Sequence, residues 1–237
     1  MEILISCPAV PPDLSSIADP RLILLAWASG LAFVVGVISL QRIVGAGFNW
    51  LTAGVAALIG LAGVFADGAW WARAGLLALG GGLVWGRNRP LAGILFIVGG
   101  VGFLIEAALF SGWFSAVTAT LALGSVTGEM ILGHWYLVDP RLPRSALRNL
   151  AIAGIGGLAV EAWFDLSLEV GFDGGAIGFW VLLVTSVVLM AAVIGALRYP
   201  AYSGVMAATG LSYLALLTTL GAVFVGRATV AGLGPFA

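Results

Sequence analysis

Apolar runs of about twenty residues, broken by short polar connections, recur along nearly the whole chain. The hydrocarbon core of a bilayer is about 30 Å thick and takes roughly 20 helical residues to cross. Eight stretches read as such spans: Arg21–Leu40, Phe48–Ala66, Ala69–Gly86, Leu91–Phe110, Trp113–Val138, Asn149–Leu166, Ala176–Leu197 and Tyr202–Val225. The third is the weakest, being short and carrying Arg73 near its start. The pattern therefore predicts an all-α, polytopic transmembrane bundle of about eight spans. Asp139-Pro140 and Arg198-Tyr199-Pro200 mark helix ends, because proline restricts its predecessor and stops a continuing helix. The expected organisation is an extended polar N-terminal tail (1–20), one transmembrane helical domain (21–226) and a short C-terminal tail (227–237).

The arginines orient this picture, since cytoplasmic loops carry the excess of positive charge. With eight spans, one set of loops holds Arg42, Arg87, Arg89, Arg141, Arg144, Arg148 and Arg198. The other set, with both termini, holds Arg21, Arg73 and Arg227. That asymmetry predicts both termini on the outer side, and seven spans would break it. The acidic loop around Asp165, Glu169 and Asp173 suits the same outer side.

Composition agrees with lipid as the solvent. The chain is 61% hydrophobic and only 9% charged, whereas soluble domains carry roughly 25% charged residues. Its 35 glycines suit membrane helices that approach closely. All ten basic residues are arginine, which fits a GC-rich, bacterial coding sequence and an inner (cytoplasmic) membrane address. The net charge of -1 offers no basic face for nucleic acid. Leu4-Ile5-Ser6-Cys7 faintly resembles a lipoprotein box, but no basic or apolar region precedes it, so no cleavable signal is expected. The single cysteine allows no intrachain disulfide.

Candidate chemistry rests on a few polar residues inside the spans. Charged groups there are rare and usually have a partner or a task. On a helical wheel, Thr118, Ser125, Glu129, Gly133 and Tyr136 form one stripe of the fifth span. Thr120, Thr127 and His134 form a second, nearly opposite stripe. Glu129 and His134 are thus about 140° apart at 100° per residue, and each is expected to face a different neighbour. A helix polar on two faces belongs at the centre of the bundle or at a subunit interface. Gly124 and Gly128 favour a close helix approach there. Glu106 shares a face with Gly99 and Gly102, and Glu161 with Gly154 and Gly157, with Asp165 one turn on. Glu106, Glu129, Glu161 and Asp165 then read either as hydrogen-bonded ties between helices or as steps of a proton or cation path. Low dielectric raises carboxyl pKa values and lets such groups hold protons.

His134-Trp135-Tyr136 reads either as an aromatic belt at the interface or as a pocket for a quinone ring or a pigment with one axial ligand. Arg141, Arg144 and Arg148 beyond it are expected to meet lipid headgroups. One histidine and one cysteine make a protein-only metal site improbable, and Gly80-Gly81-Gly82 lacks the context of a phosphate loop. The expectation is a non-catalytic membrane subunit of a larger, energy-converting complex, contacting lipid, quinone, other subunits or its own copies. The alternative is a small proton- or cation-coupled transporter using the intramembrane carboxylates.

Overall fold

The computed structural model describes residues 18–65, 69–168 and 174–232. Most of the N-terminal tail with Cys7, the acids Glu169 and Asp173, and the last five residues lie outside the described residues. Within them the chain is all-helical. Its elements are α1 (Pro20–Leu40), α2 (Ala46–Val64), α3 (Trp70–Val84), α4 (Arg89–Ser111), α5 (Trp113–Val138), α6 (Arg144–Ser167), α7 (Gly174–Leu197) and α8 (Tyr202–Val230). Among the described residues six helices, α1 and α4 to α8, are long and apolar enough to cross a membrane, and α2 is apolar over Ala46–Leu61. At 1.5 Å per residue, α3 extends only about 22 Å.

Contacts between neighbours fix their directions. Gly63 of α2 lies against Leu25 of α1, Gly75 of α3 against Gly99 of α4, and Gly157 of α6 against Ala122 of α5. Helices adjacent in sequence therefore run antiparallel. α5 is the hub: it packs on α1, α4, α6 and α8, and most of its length is buried. α7 lies at the periphery against α8 and α6.

The closest approach is between α1 and α5. A Cβ at Gly124 would stand 2.4 Å from Gly30 Cα, and one at Gly30 would stand 2.3 Å from the Thr120 carbonyl. Only glycine lets these backbones meet. In lipid no hydrophobic force drives helices together, so such close packing and interhelical hydrogen bonds supply the association. The Gly124–Gly128 pair anticipated for this role does serve it, with Gly128 packed on Val34.

Bulky apolar side chains stand outward along mid-helix, including Leu58, Leu77, Val181, Val188 and Leu217. Exposed Trp70, Trp71, Trp113 and Trp163 gather at the end where α1 begins, and exposed Trp50, Trp85, Tyr199 and Tyr202 at the other. Two aromatic girdles flanking an apolar band are the signature of a bilayer-embedded surface. The chain has the build of an integral, multi-pass membrane protein.

The two largest boundary shifts from the sequence reading concern α6 and α8. α6 begins at Arg144 rather than Asn149, and α8 runs to Val230 rather than Val225. The second shift carries Arg227 out of the expected tail and into the bundle.

Candidate functional site: a polar seam between α5 and α8

α5 and α8 cross the bundle side by side in opposite directions, and their facing residues form a polar seam. At the end where α1 begins lies its strongest element. Arg227 of α8, 2% exposed, places two guanidinium nitrogens 3.0 and 3.1 Å from the two carboxylate oxygens of Glu161 on α6. One of those nitrogens also donates to the Ser115 carbonyl and the Thr118 hydroxyl of α5, each at 3.0 Å. The Phe164 ring covers the cation, 4.1 Å from Cζ to the ring centroid. Asp165 is buried one turn from Glu161 and within the field of Arg227. One arginine thus ties three helices and faces two acids. A planar fork suits this work, since it pairs side by side with a carboxylate and stacks on an aromatic face.

Midway along the seam, Glu129 is fully buried and accepts a hydrogen bond from the Ser212 hydroxyl of α8. The same hydroxyl lies 2.8 Å from the Ala208 carbonyl, so its one proton is shared between the two acceptors. Among the described residues the second oxygen of Glu129 has no hydrogen-bond partner, nor does the buried Thr219 hydroxyl. At the far end, Tyr136 accepts from Arg144 at 3.4 Å. Arg144 also donates to the carbonyls of Tyr199 and Pro200 in the α7–α8 turn.

The other predicted residues disperse. Glu106 leaves the supposed path: it accepts from the backbone amides of Trp71 and Ala72, at 3.1 and 3.3 Å, and so caps the start of α3. A carboxylate there satisfies amides that a helix N-terminus leaves unpaired and complements its dipole. His134, Trp135 and Tyr136 do not form one pocket. His134 is exposed, with the Tyr213 hydroxyl 3.5 Å from Nδ1; Trp135 packs edge-on against Phe48 of α2; Tyr136 turns inward to Arg144. Consecutive residues on a helix diverge by about 100°, which separates the three. Glu129 and His134 do not face opposite neighbours either, because both reach α8, at Ser212 and Tyr213. Thr127, on the same stripe as His134, instead accepts from Trp27 Nε1 of α1 at 2.8 Å. Arg144 latches the α7–α8 turn, while Arg141 and Arg148 are exposed.

No family model matches this sequence, and no curated protein or solved structure is significantly similar to it. The site must be read from its own chemistry.

That chemistry is cohesive. Among the described residues no group of three or more His, Cys, Asp or Glu is placed to hold a metal ion. A cavity of about 10 Å³ beside Arg227, lined also by Ser111 and Ser115, has the size of a single water site. Sequence reasoning missed Arg227 because it follows the last strongly apolar residues. The signal was present: Thr209, Ser212, Thr219 and Arg227 fall within about 80° on α8 at 100° per residue, which continues a polar face one turn past the expected end.

Proposed function

We propose that the chain is a non-catalytic subunit of a larger membrane complex, embedded through eight crossings in a bacterial cytoplasmic membrane. Its termini lie outside and its arginine-rich end faces the cytoplasm. The observation that carries this reading is that the buried charges are committed within the bundle: Glu161 to Arg227, Glu106 to the start of α3, Glu129 to Ser212. Such contacts hold helices in register. The short α3 supports a neighbour, because a helix shorter than the hydrocarbon thickness is accommodated by tilting, by thinning the bilayer or by association. The exposed apolar flanks of α3 and α7 offer surface for a partner subunit, another copy, lipid or quinone.

Gentle solubilisation followed by native mass determination tests this. Co-purification of defined subunits or a discrete homo-oligomer is expected; a monodisperse monomer carrying nothing would count against it. Labelling Phe65→Cys in a Cys7→Ser background tests the crossings of α2 and α3, since the eight-span reading requires that turn to react from outside.

The runner-up is ion movement along the α5–α8 seam. It draws support from the unpartnered Glu129 oxygen and Thr219 hydroxyl, which leave hydrogen-bonding capacity in the middle of the seam.

A further inference from the structure

Three arginines without partners among the described residues converge at the arginine-rich end. Arg42 follows α1, and Arg87 and Arg89 flank the α3–α4 connection, yet all three line one open cleft of about 440 Å³ with Asn88 and Pro90. A second cleft of about 650 Å³ adjoins it, shares Arg87 and is lined by Trp50, Gly47 and Val84. No acidic side chain lines either cleft, and none of the three side chains makes a hydrogen bond or ion pair among the described residues. Trp50 and Trp85, 59% and 55% exposed, stand at the same level.

The arrangement is built rather than incidental. Buried Asn49 of α2 donates to the Ser39 hydroxyl of α1 at 3.0 Å, and Ser39 donates to the Arg89 carbonyl at 3.1 Å. This chain of two bonds fastens the α3–α4 connection against the ends of α1 and α2. Arg42 itself has φ +55°, a left-handed conformation that side chains other than glycine, asparagine and aspartate seldom adopt. A helix terminus of this kind ordinarily takes glycine. Here it carries a cation instead, at a position where backbone conformation favours none.

We propose that Arg42, Arg87 and Arg89 bind the phosphate-bearing headgroup of an anionic phospholipid, with Trp50 and Trp85 seated at the headgroup level beside it. Guanidinium forks match phosphate oxygens in pairs, and interfacial tryptophan marks the depth at which those phosphates lie. Three uncompensated charges select an anionic lipid over a zwitterionic one. The site differs from the Arg141–Arg148 segment expected from sequence, where Arg144 is already engaged by the α7–α8 turn. The inference rests on the membrane reading above.

The test is native mass spectrometry of the protein loaded with phosphatidylglycerol or phosphatidylcholine of the same acyl chains. Each arginine near an anionic surface contributes about fivefold in affinity, so roughly a hundredfold for three. Preferential retention of phosphatidylglycerol is expected, falling by about that factor in Arg42→Gly/Arg87→Gln/Arg89→Gln and unchanged in Arg198→Gln, an exposed arginine at the same end. Arg42→Gly suits the left-handed backbone, and Arg87→Gln alone should lose about fivefold, so the proposal stays testable if the triple variant folds poorly. Equal retention of both lipids, or full retention by the variants, would overturn it. Displacement of the lipid by millimolar inorganic phosphate would overturn the lipid assignment in favour of a free-phosphate site. Failure to hold either lipid would sink the membrane reading and this inference with it.

Discussion

Replacing Arg227 with Met removes the cation that pairs with Glu161 and faces Asp165. Breaking a buried ion pair from one side typically costs about 3–5 kcal/mol, because the remaining charge is left buried and uncompensated. Arg227→Met belongs at the upper end of that range, since it strands Glu161 and also withdraws a donor from Ser115 and Thr118. The latter loss is softened, as Thr118 already donates to the Ser115 carbonyl at 3.1 Å. Glu161→Gln should lose less, about 1–3 kcal/mol, because Asp165 still faces the guanidinium and the amide oxygen still accepts from it. Combining the two removes the stranded partner, so the double variant should be more stable than the sum of the single losses predicts by about 2 kcal/mol. The assay is reversible unfolding in mixed micelles by titration with a denaturing detergent, followed by tryptophan fluorescence. Additive losses, or an Arg227→Met loss under about 1 kcal/mol, would refute the assignment of this pair as the principal tie among α5, α6 and α8.

Three further outcomes follow from particular contacts. Gly124→Leu should prevent stable assembly by forcing α1 from α5 at Gly30, whereas Gly156→Ala, where a Cβ meets nothing within 4 Å, should leave the melting profile unchanged. Arg144→Gln should raise hydrogen exchange across residues 199–204 while sparing mid-helix amides; unchanged protection there would deny the latch. Asp19 caps α1 through the Arg21 amide at 2.9 Å, and hydrogen bonds from the Arg21 side chain, larger in effect than its own desolvation, hold its carboxyl below the usual 3.8. A lowered folded value means the contribution is present above that ordinary range and disappears as pH falls through the lower folded value. Protection of Leu22 and Ile23, corrected for intrinsic exchange, should therefore drop with a midpoint below 3.8, and Asp19→Asn should abolish the transition.

The helices were legible because lipid imposes one simple rule on sequence: backbone polar groups must be satisfied within the helix, and outward faces must be apolar. Long uniform runs such as Ala176–Leu197 announce themselves on that rule alone. So did the inward placement of Glu106, Glu129 and Glu161, each sharing a face with small residues. What the pattern could not supply was the identity of partners across helices. Glu106 looks like Glu161 on a wheel, yet one caps a neighbouring helix and the other pairs with an arginine sixty-six positions away. Arg227 was assigned outside because charge ordinarily ends a span, and only the facing acids on α6 make its burial tolerable. The same reasoning separates Arg144 from Arg141 and Arg148: three arginines at similar spacing, of which one finds free carbonyls within reach. Contacts between adjacent loops, such as those that assemble Arg42 with Arg87 and Arg89, are invisible along the chain.

On the proposed reading the charged seam holds the bundle together and moves nothing. Its most direct test is proton and sodium flux through liposomes containing the purified protein under an imposed gradient and membrane potential. Leak equal to that of protein-free liposomes is expected, for the unmodified protein and for Glu129→Gln alike. Gradient-driven flux that is abolished by Glu129→Gln, in a variant that still folds, would contradict it and establish the seam as a path.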